Sequence, residues 1–137
     1  MRLALLIVSV LCSLPCEAAE TCRPLGYYVR VPAEGPPAEF TVSTAPVGSP
    51  EGEALLGLET IGQRMPDGLD TFGAVKGRFR LSQTGCTGAY LEGDNCAIFI
   101  AFARQAAEVH QFGDCGFGAY ASADGKYKRL SHRKREP

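Results

Sequence analysis

The stretch Cys96-Ala97-Ile98-Phe99-Ile100-Ala101-Phe102-Ala103-Arg104-Gln105-Ala106-Ala107-Glu108-Val109-His110-Gln111-Phe112 decides the fold. Its alanines, with no Gly or Pro inside, permit one helix capped by Asp94 or Asn95 and stopped at Gly113. The same residues permit a hairpin, 97–103 returning through 107–112, although Arg104-Gln105-Ala106-Ala107 lacks Asn-Gly turn chemistry. Cysteine spacing separates the two readings. A hairpin centred between Gln105 and Ala106 sets Cys96 opposite Cys115, Phe102 opposite Val109 and Phe99 opposite Phe112. Paired strands bring opposed Cα atoms to about 4.5–5.5 Å, inside the disulfide range of roughly 4.4–6.8 Å. A helix would hold those cysteines roughly 25 Å apart. The β-branched and aromatic run Ile98-Phe99-Ile100 also favours a strand. The expectation is the hairpin.

Working outward, Phe117 to Ala123 leads to Asp124-Gly125 and returns through Lys126 to Leu130, which predicts a second hairpin pairing Ser122 with Tyr127 and Tyr120 with Arg129. On the N-terminal side, 85–93 reads as a loop around Cys86. Residues 72–81 alternate, with Val75, Gly77, Phe79 and Leu81 on one side and Lys76, Arg78 and Arg80 on the other, a half-buried strand with a basic outer face. Met65-Pro66-Asp67-Gly68 signals a turn. Residues 50–64 are ambiguous between strand and short helix. Ser49-Pro50 with early Glu is a helix start, and Ala54, Leu58, Ile61 and Met65 recur near helical spacing, so the reading leans to a short helix despite two glycines. Phe40 to Thr44 reads as a strand ended by Pro46. Tyr27, Val29 and Val31 alternate in an extended entry, followed by the Pro-rich 32–37 loop. The sum is a mainly β domain, a small antiparallel β-barrel or sandwich of about six to eight strands.

The first 19 residues read as a signal peptide. Arg2 supplies the positive start, Leu3 to Leu14 is an uncharged apolar run too short to span a bilayer, and Ala18 and Ala19 offer the cleavage site. The residues before Cys12 and Cys16 do not fit a lipoprotein signal. Residues 20–130 then form one β-rich domain, and 131–137 a flexible basic tail. Cys12 and Cys16 leave with the signal, so Cys22, Cys86, Cys96 and Cys115 remain for two disulfides. If Cys96 pairs with Cys115, Cys22 pairs with Cys86. No close Cys pair supports zinc, so no metal and no cofactor is expected. The absence of an Asn-x-Ser/Thr site and the Ala-, Gly- and Arg-rich usage point to an exported bacterial protein, periplasmic or secreted.

The 137 residues suit one domain, and 14 Lys and Arg against 15 Asp and Glu argue against nucleic-acid binding. Charge is unevenly spread. From Lys126 onward six basic residues face one acid, whereas residues 20–125 carry seven basic and thirteen acidic ones, a net of −6. Such a tail would favour weak contact with an anionic surface. His110 with Glu108 or Asp114 lacks a nucleophile, and Glu92 with Asp94 falls short of a calcium cage, so no convergent catalytic or metal set is read. The most distinctive stretches are Asp114-Cys115-Gly116-Phe117-Gly118 and Asp124-Gly125-Lys126. Gly116, Phe117, Gly118, Asp124, Gly125 and Lys126 are therefore the candidate interaction loop.

Ser122-Ala123-Asp124-Gly125-Lys126-Tyr127 resembles the Ser-Gly-x-x-Tyr-type loop of the small periplasmic inhibitors of c-type lysozyme. The resemblance spans six residues and stops short of membership. It implies a disulfide-stapled β-barrel that places a loop in an enzyme cleft. The expected function is a non-enzymatic exported β-domain that binds a protein or small ligand in the cell envelope. Its rivals are an inhibitor or immunity-type protein acting on an envelope enzyme such as a lysozyme, a ligand-carrying barrel with a cavity on the Ile98, Ile100, Phe102 and Val109 face, and a small enzyme using His110.

Overall fold

A computed structural model describes residues 22–64, 70–117 and 121–131, with side chains of 61–72 left aside. The predicted signal peptide, Gly118 and most of the tail lie outside these residues. Eight strands run in chain order: β1 (Gly26–Arg30), β2 (Ala38–Thr44), β3 (Glu53–Arg64), β4 (Asp70–Leu81), β5 (Thr87–Glu92), β6 (Cys96–Phe102), β7 (Ala106–Gly113) and β8 (Gly125–Leu130). Each pairs antiparallel with the next, and β1 pairs with β8, so the sheet closes into an up-and-down barrel. Closure removes the free edges that short strands would otherwise expose.

The interior of an eight-stranded barrel is just wide enough for side chains to fill. Here aromatic rings fill it. Tyr28 stacks on Phe40 with centroids 4.5 Å apart, Phe40 meets Tyr127 edge-on at 5.0 Å, and Phe102 meets Phe79 at 6.1 Å. Leu56, Leu58, Ile98, Ile100 and Val109 complete one contiguous core.

The region 96–113 is a hairpin, as the cysteine argument predicts, but its register differs. Ala103 N donates to Ala106 O across a two-residue loop, which pairs Phe102 with Ala107, Phe99 with His110 and Cys96 with Gly113. Every predicted pair is thus displaced by two residues. Because strand side chains alternate with period two, that shift leaves each residue on its expected face. Cys115 still reaches Cys96, with Cα atoms 4.8 Å apart. Gly113 makes this possible: its φ of +78° turns the chain across the barrel end, and a Cβ there would lie 2.0 Å from Asn95 O. Cys22 pairs with Cys86 at the opposite end.

Four other expectations are corrected. Residues 53–64 form β3 rather than a helix, because Ala54, Leu56, Leu58 and Thr60 alternate inward and both neighbouring strands hydrogen-bond to them. Long-range pairing overrides a weak helical start. Residues 87–92 are strand β5 inside the predicted 85–93 loop; Gly88 faces inward there, and the space of its missing side chain is taken by the Phe79 ring. The second hairpin is not found among the described residues, and Tyr120 of its predicted first strand lies outside them. Residues 121–124 carry no strand, and β8 pairs with β7 and β1, so Asp124-Gly125 begins a strand instead of turning between two. In β1 the buried residues are Tyr28 and Arg30, opposite to the Tyr27, Val29 face that apolar alternation indicates. The strand 70–81 keeps its predicted faces, with Val75 and Phe79 buried and Lys76, Arg78 and Arg80 exposed. The Met65–Gly68 turn lies outside the described residues.

Candidate functional site

The barrel end that carries the 31–37, 93–95 and 114–124 connections is built more elaborately than the other. After Gly113 the chain crosses the barrel mouth. Asp114 Oδ1 accepts the amide of Gly116 at 2.8 Å, Cys115 is bonded to Cys96, and Phe117 is buried at 1 % exposure. The Phe117 backbone lies directly against β4, where a Cβ on Gly73 would be 2.1 Å from Phe117 Cα, so only glycine admits the crossing. On the return side, Gln111 is the anchor. Its amide N donates to Asp124 Oδ1 at 2.5 Å, and its side-chain oxygen accepts from Ala123 N at 2.8 Å. Ser122 Oγ donates to Asp124 Oδ2 at 3.0 Å, and the buried Tyr127 hydroxyl donates to Ala123 O at 2.8 Å.

Arg30 pins this cap from inside. It is 5 % exposed, donates from Nη1 to Pro36 O at 2.8 Å and from Nη2 to Ser122 O, and lies over the Tyr127 ring at 5.6 Å. Among the described residues its Nε has no hydrogen-bond partner. One guanidinium therefore joins the 31–37 connection to the 121–124 segment, a task suited to its rigid planar fork. Burial pushes the Tyr127 phenol above its ordinary value, and the Arg30 charge partly offsets that rise.

These contacts sort the six candidate loop residues. Gly116 is exposed at a turn with φ of +78° and open space around it. Asp124 is exposed but held at both carboxylate oxygens, and Lys126 is exposed opposite Glu108. Gly125 begins β8 opposite Val109. Phe117 is a correction: it faces the core as a plug and presents no ring to a partner. Gly118 lies outside the described residues. Of the Ser122–Tyr127 stretch, Ala123 and Tyr127 face the core, so Asp124 and Lys126 are its exposed residues.

His110 Nε2 lies 3.3 Å from Glu108 Oε1 on the outer surface, with both side chains about half exposed. Asp114 is occupied in its own turn, and Phe99 is the cross-strand neighbour of His110. Among the described residues no three His, Cys, Asp or Glu side chains gather where they could hold a metal.

Sequence reasoning missed a second feature beside the cap. Phe99, Phe112 and Leu91 point outward and are 44 %, 59 % and 67 % exposed, with the two rings edge-to-face at 5.6 Å. The signal was present in the 96–102 run, which is apolar on both alternating faces while only one face can enter a barrel. A groove of about 630 Å³ lined by Leu91, Asp94, Asn95, Ala97, Phe112 and Asp114 joins this surface to the cap. No family model, no curated protein and no solved structure matches the chain.

Proposed function

We propose that this protein is a non-enzymatic exported binding domain, acting in the bacterial periplasm or outside the cell, whose β7–β8 connection engages an envelope partner. The observation that carries this reading is the double anchoring of that connection, by the Cys96–Cys115 disulfide on one side and by Gln111, Asp124 and Arg30 on the other. Anchoring both ends of a connection lowers the entropy it loses on binding, which favours tight recognition. The contact residues are Gly116, Asp124 and Lys126. Two further observations support the setting: two disulfides are consistent with an exported protein, and no helix among the described residues is long and apolar enough to cross a membrane.

The double anchoring also favours the inhibitor reading, in which the same residues enter the cleft of an envelope enzyme such as a lysozyme. A carrier barrel gains no support, because Ile98, Ile100, Phe102 and Val109 are packed in a solid core. The test is immobilised protein offered the soluble envelope fraction of its host. The expected result is a stoichiometric complex that Lys126→Glu or Gly116→Asn weakens at least tenfold while the circular dichroism of the barrel is unchanged. Capture that both variants leave intact would refute the loop. Adding an equimolar amount of the protein to a lysozyme assay decides between inhibition and binding alone.

A further inference from the structure

The outer wall formed by β5, β6 and β7 presents nine outward positions in three cross-strand rows: Thr87–Ala101–Glu108, Ala89–Phe99–His110 and Leu91–Ala97–Phe112. Six of the nine are apolar. The central Phe99 has Ala89, Ala97 and Ala101 as small neighbours on β5 and β6, His110 opposite on β7 and the Phe112 ring 5.6 Å away, and a groove lined by Ala89, Ala101 and His110 runs beside it. The wall is also polar end to end. Past the Leu91 row stand the exposed acids Asp94 and Asp114, and past the Glu108 row stands the exposed Arg104 in the β6–β7 turn, while Glu108 itself faces Lys126 on β8.

We infer that this wall is a contact between two copies of the chain, face to face, related by a two-fold axis that lies in the interface and runs across the strands. That operation is the one that satisfies the charges. It lays β6 antiparallel over its copy, so the acidic end of each wall meets the Arg104 end of the other, and it brings Phe99 against the groove beside its own equivalent. A two-fold along the strands would instead set Asp94 and Asp114 against themselves. An isologous patch must be complementary to itself, and the acids at one end and Arg104 at the other meet that requirement in charge. The wall spans about seven residues of strand, roughly 24 Å, by roughly 15 Å across, which is small beside a standard interface. The dimer is accordingly weak and dependent on concentration. It does not involve Gly116 or Asp124, but it adjoins the proposed binding loop through Asp114, which opens the β7–β8 connection.

Sedimentation velocity of the purified disulfide-bonded protein, over a wide concentration range, tests it. The expected result is a weight-average mass that climbs from one chain toward two, abolished by Phe99→Ser with the circular dichroism unchanged. Arg104→Asp and Asp94→Arg should each weaken association about tenfold, and the double variant should restore it, because each contact occurs twice across a two-fold. A mass that stays at one chain at every concentration overturns the proposal. So does association that Phe99→Ser leaves intact, or a charge swap that fails to restore what the single changes removed.

Discussion

Two walls of the same barrel share a backbone and an interior and differ outside. The wall of β2, β3 and β4 carries Glu39, Thr41 and Ser43, then Glu53 and Glu59, then Lys76, Arg78 and Arg80, with Glu53 facing Arg80 across the strands and bridging to Arg78 at 3.3 Å. The wall of β5, β6 and β7 carries alanines, Leu91 and two exposed phenylalanines, with Thr87, Glu108 and His110 its three polar positions. Inward residues on both walls belong to one buried apolar core, with Thr60 of β3 a buried polar member beside it. Folding into a barrel fixes only the inward set, so outward positions are free to follow other demands. A solvated wall is served by charge, and an apolar one exposes surface that water disfavours. The difference therefore separates what makes the fold from what the fold presents.

If that separation holds, the interior should not distinguish the walls. Phe40→Ala, from β2, and Phe102→Ala, from β6, each remove a fully enclosed ring from the same cluster. Both should lower stability by about 3–5 kcal/mol, measured by denaturant unfolding under oxidising conditions. Losses that differ by more than about 2 kcal/mol would mean that the two halves are separately stabilised rather than sharing one core.

A smaller effect follows from the residue that ties the walls together across the cap. Arg30→Met keeps the apolar stem but removes donors to Pro36 O and Ser122 O. The cost should be about 1–3 kcal/mol for two stranded carbonyls, and Arg30→Lys should not recover it, since one ammonium cannot reproduce the fork. Proteolytic nicking in the 114–124 connection should rise in the same variants. Unchanged resistance there would show that the disulfide alone holds the cap.

Much of this was legible, and what was not has a physical pattern. Period two survives a shift of two, so the inward set Ile98, Ile100 and Phe102 was readable although the hairpin register was not. Register depends on the Arg104-Gln105 loop and on Gly113, neither of which has strong local turn chemistry. Asp124-Gly125 misled for the opposite reason: its chemistry is that of a tight turn, but closing the barrel required β8 to pair with β1 and β7. Arg30 was unreadable as a buried residue because its partners are carbonyls contributed by the chain at positions 36 and 122. The same distance hid the cap: Gly116 and Lys126 stood out locally, whereas the plugging of Phe117 against Gly73 is a contact between β4 and a loop far along the chain.

The seam between the walls makes a pH prediction. β4 and β5 pair through two residue pairs, Arg80 with Ala89 and Leu81 with Gly88, and beyond them the Tyr90 ring packs under Gly77. Burial, and then the hydrogen bond and charge of Glu92, push the Tyr90 phenol up to about 12, and burial raises Tyr28 and Tyr127 as well. A folded-state value raised above the unfolded value of 10.0 contributes stability that is complete below pH 10 and lost as pH climbs toward 12. Unfolding should therefore set in above pH 10, accompanied by phenolate absorbance appearing in step with loss of structure. Tyr90→Phe, which cannot ionise, should move that onset upward. An onset unchanged by this substitution would place the alkaline weakness in Tyr28 or Tyr127, away from the seam.

The smallest expected effects lie outside, and there the walls should part. On the charged wall Arg78 is almost fully exposed, so its 3.3 Å pair with Glu53 acts in high dielectric and Arg78→Ala should change stability by no more than about 0.5 kcal/mol. On the apolar wall Phe112→Ser removes one ring of an edge-to-face pair with Phe99. Its cost to the isolated barrel, measured at high dilution, should be about 0.5–1.5 kcal/mol. The informative measurement is the same pair of variants at high protein concentration. Arg78→Ala should behave as it did when dilute, whereas the penalty of Phe112→Ser should grow, since a contact made only between copies adds to stability in proportion to occupancy. Penalties that do not move with concentration on either wall would mean that the apolar surface belongs to the folded chain alone, and that the contrast between the walls concerns solvation and not assembly.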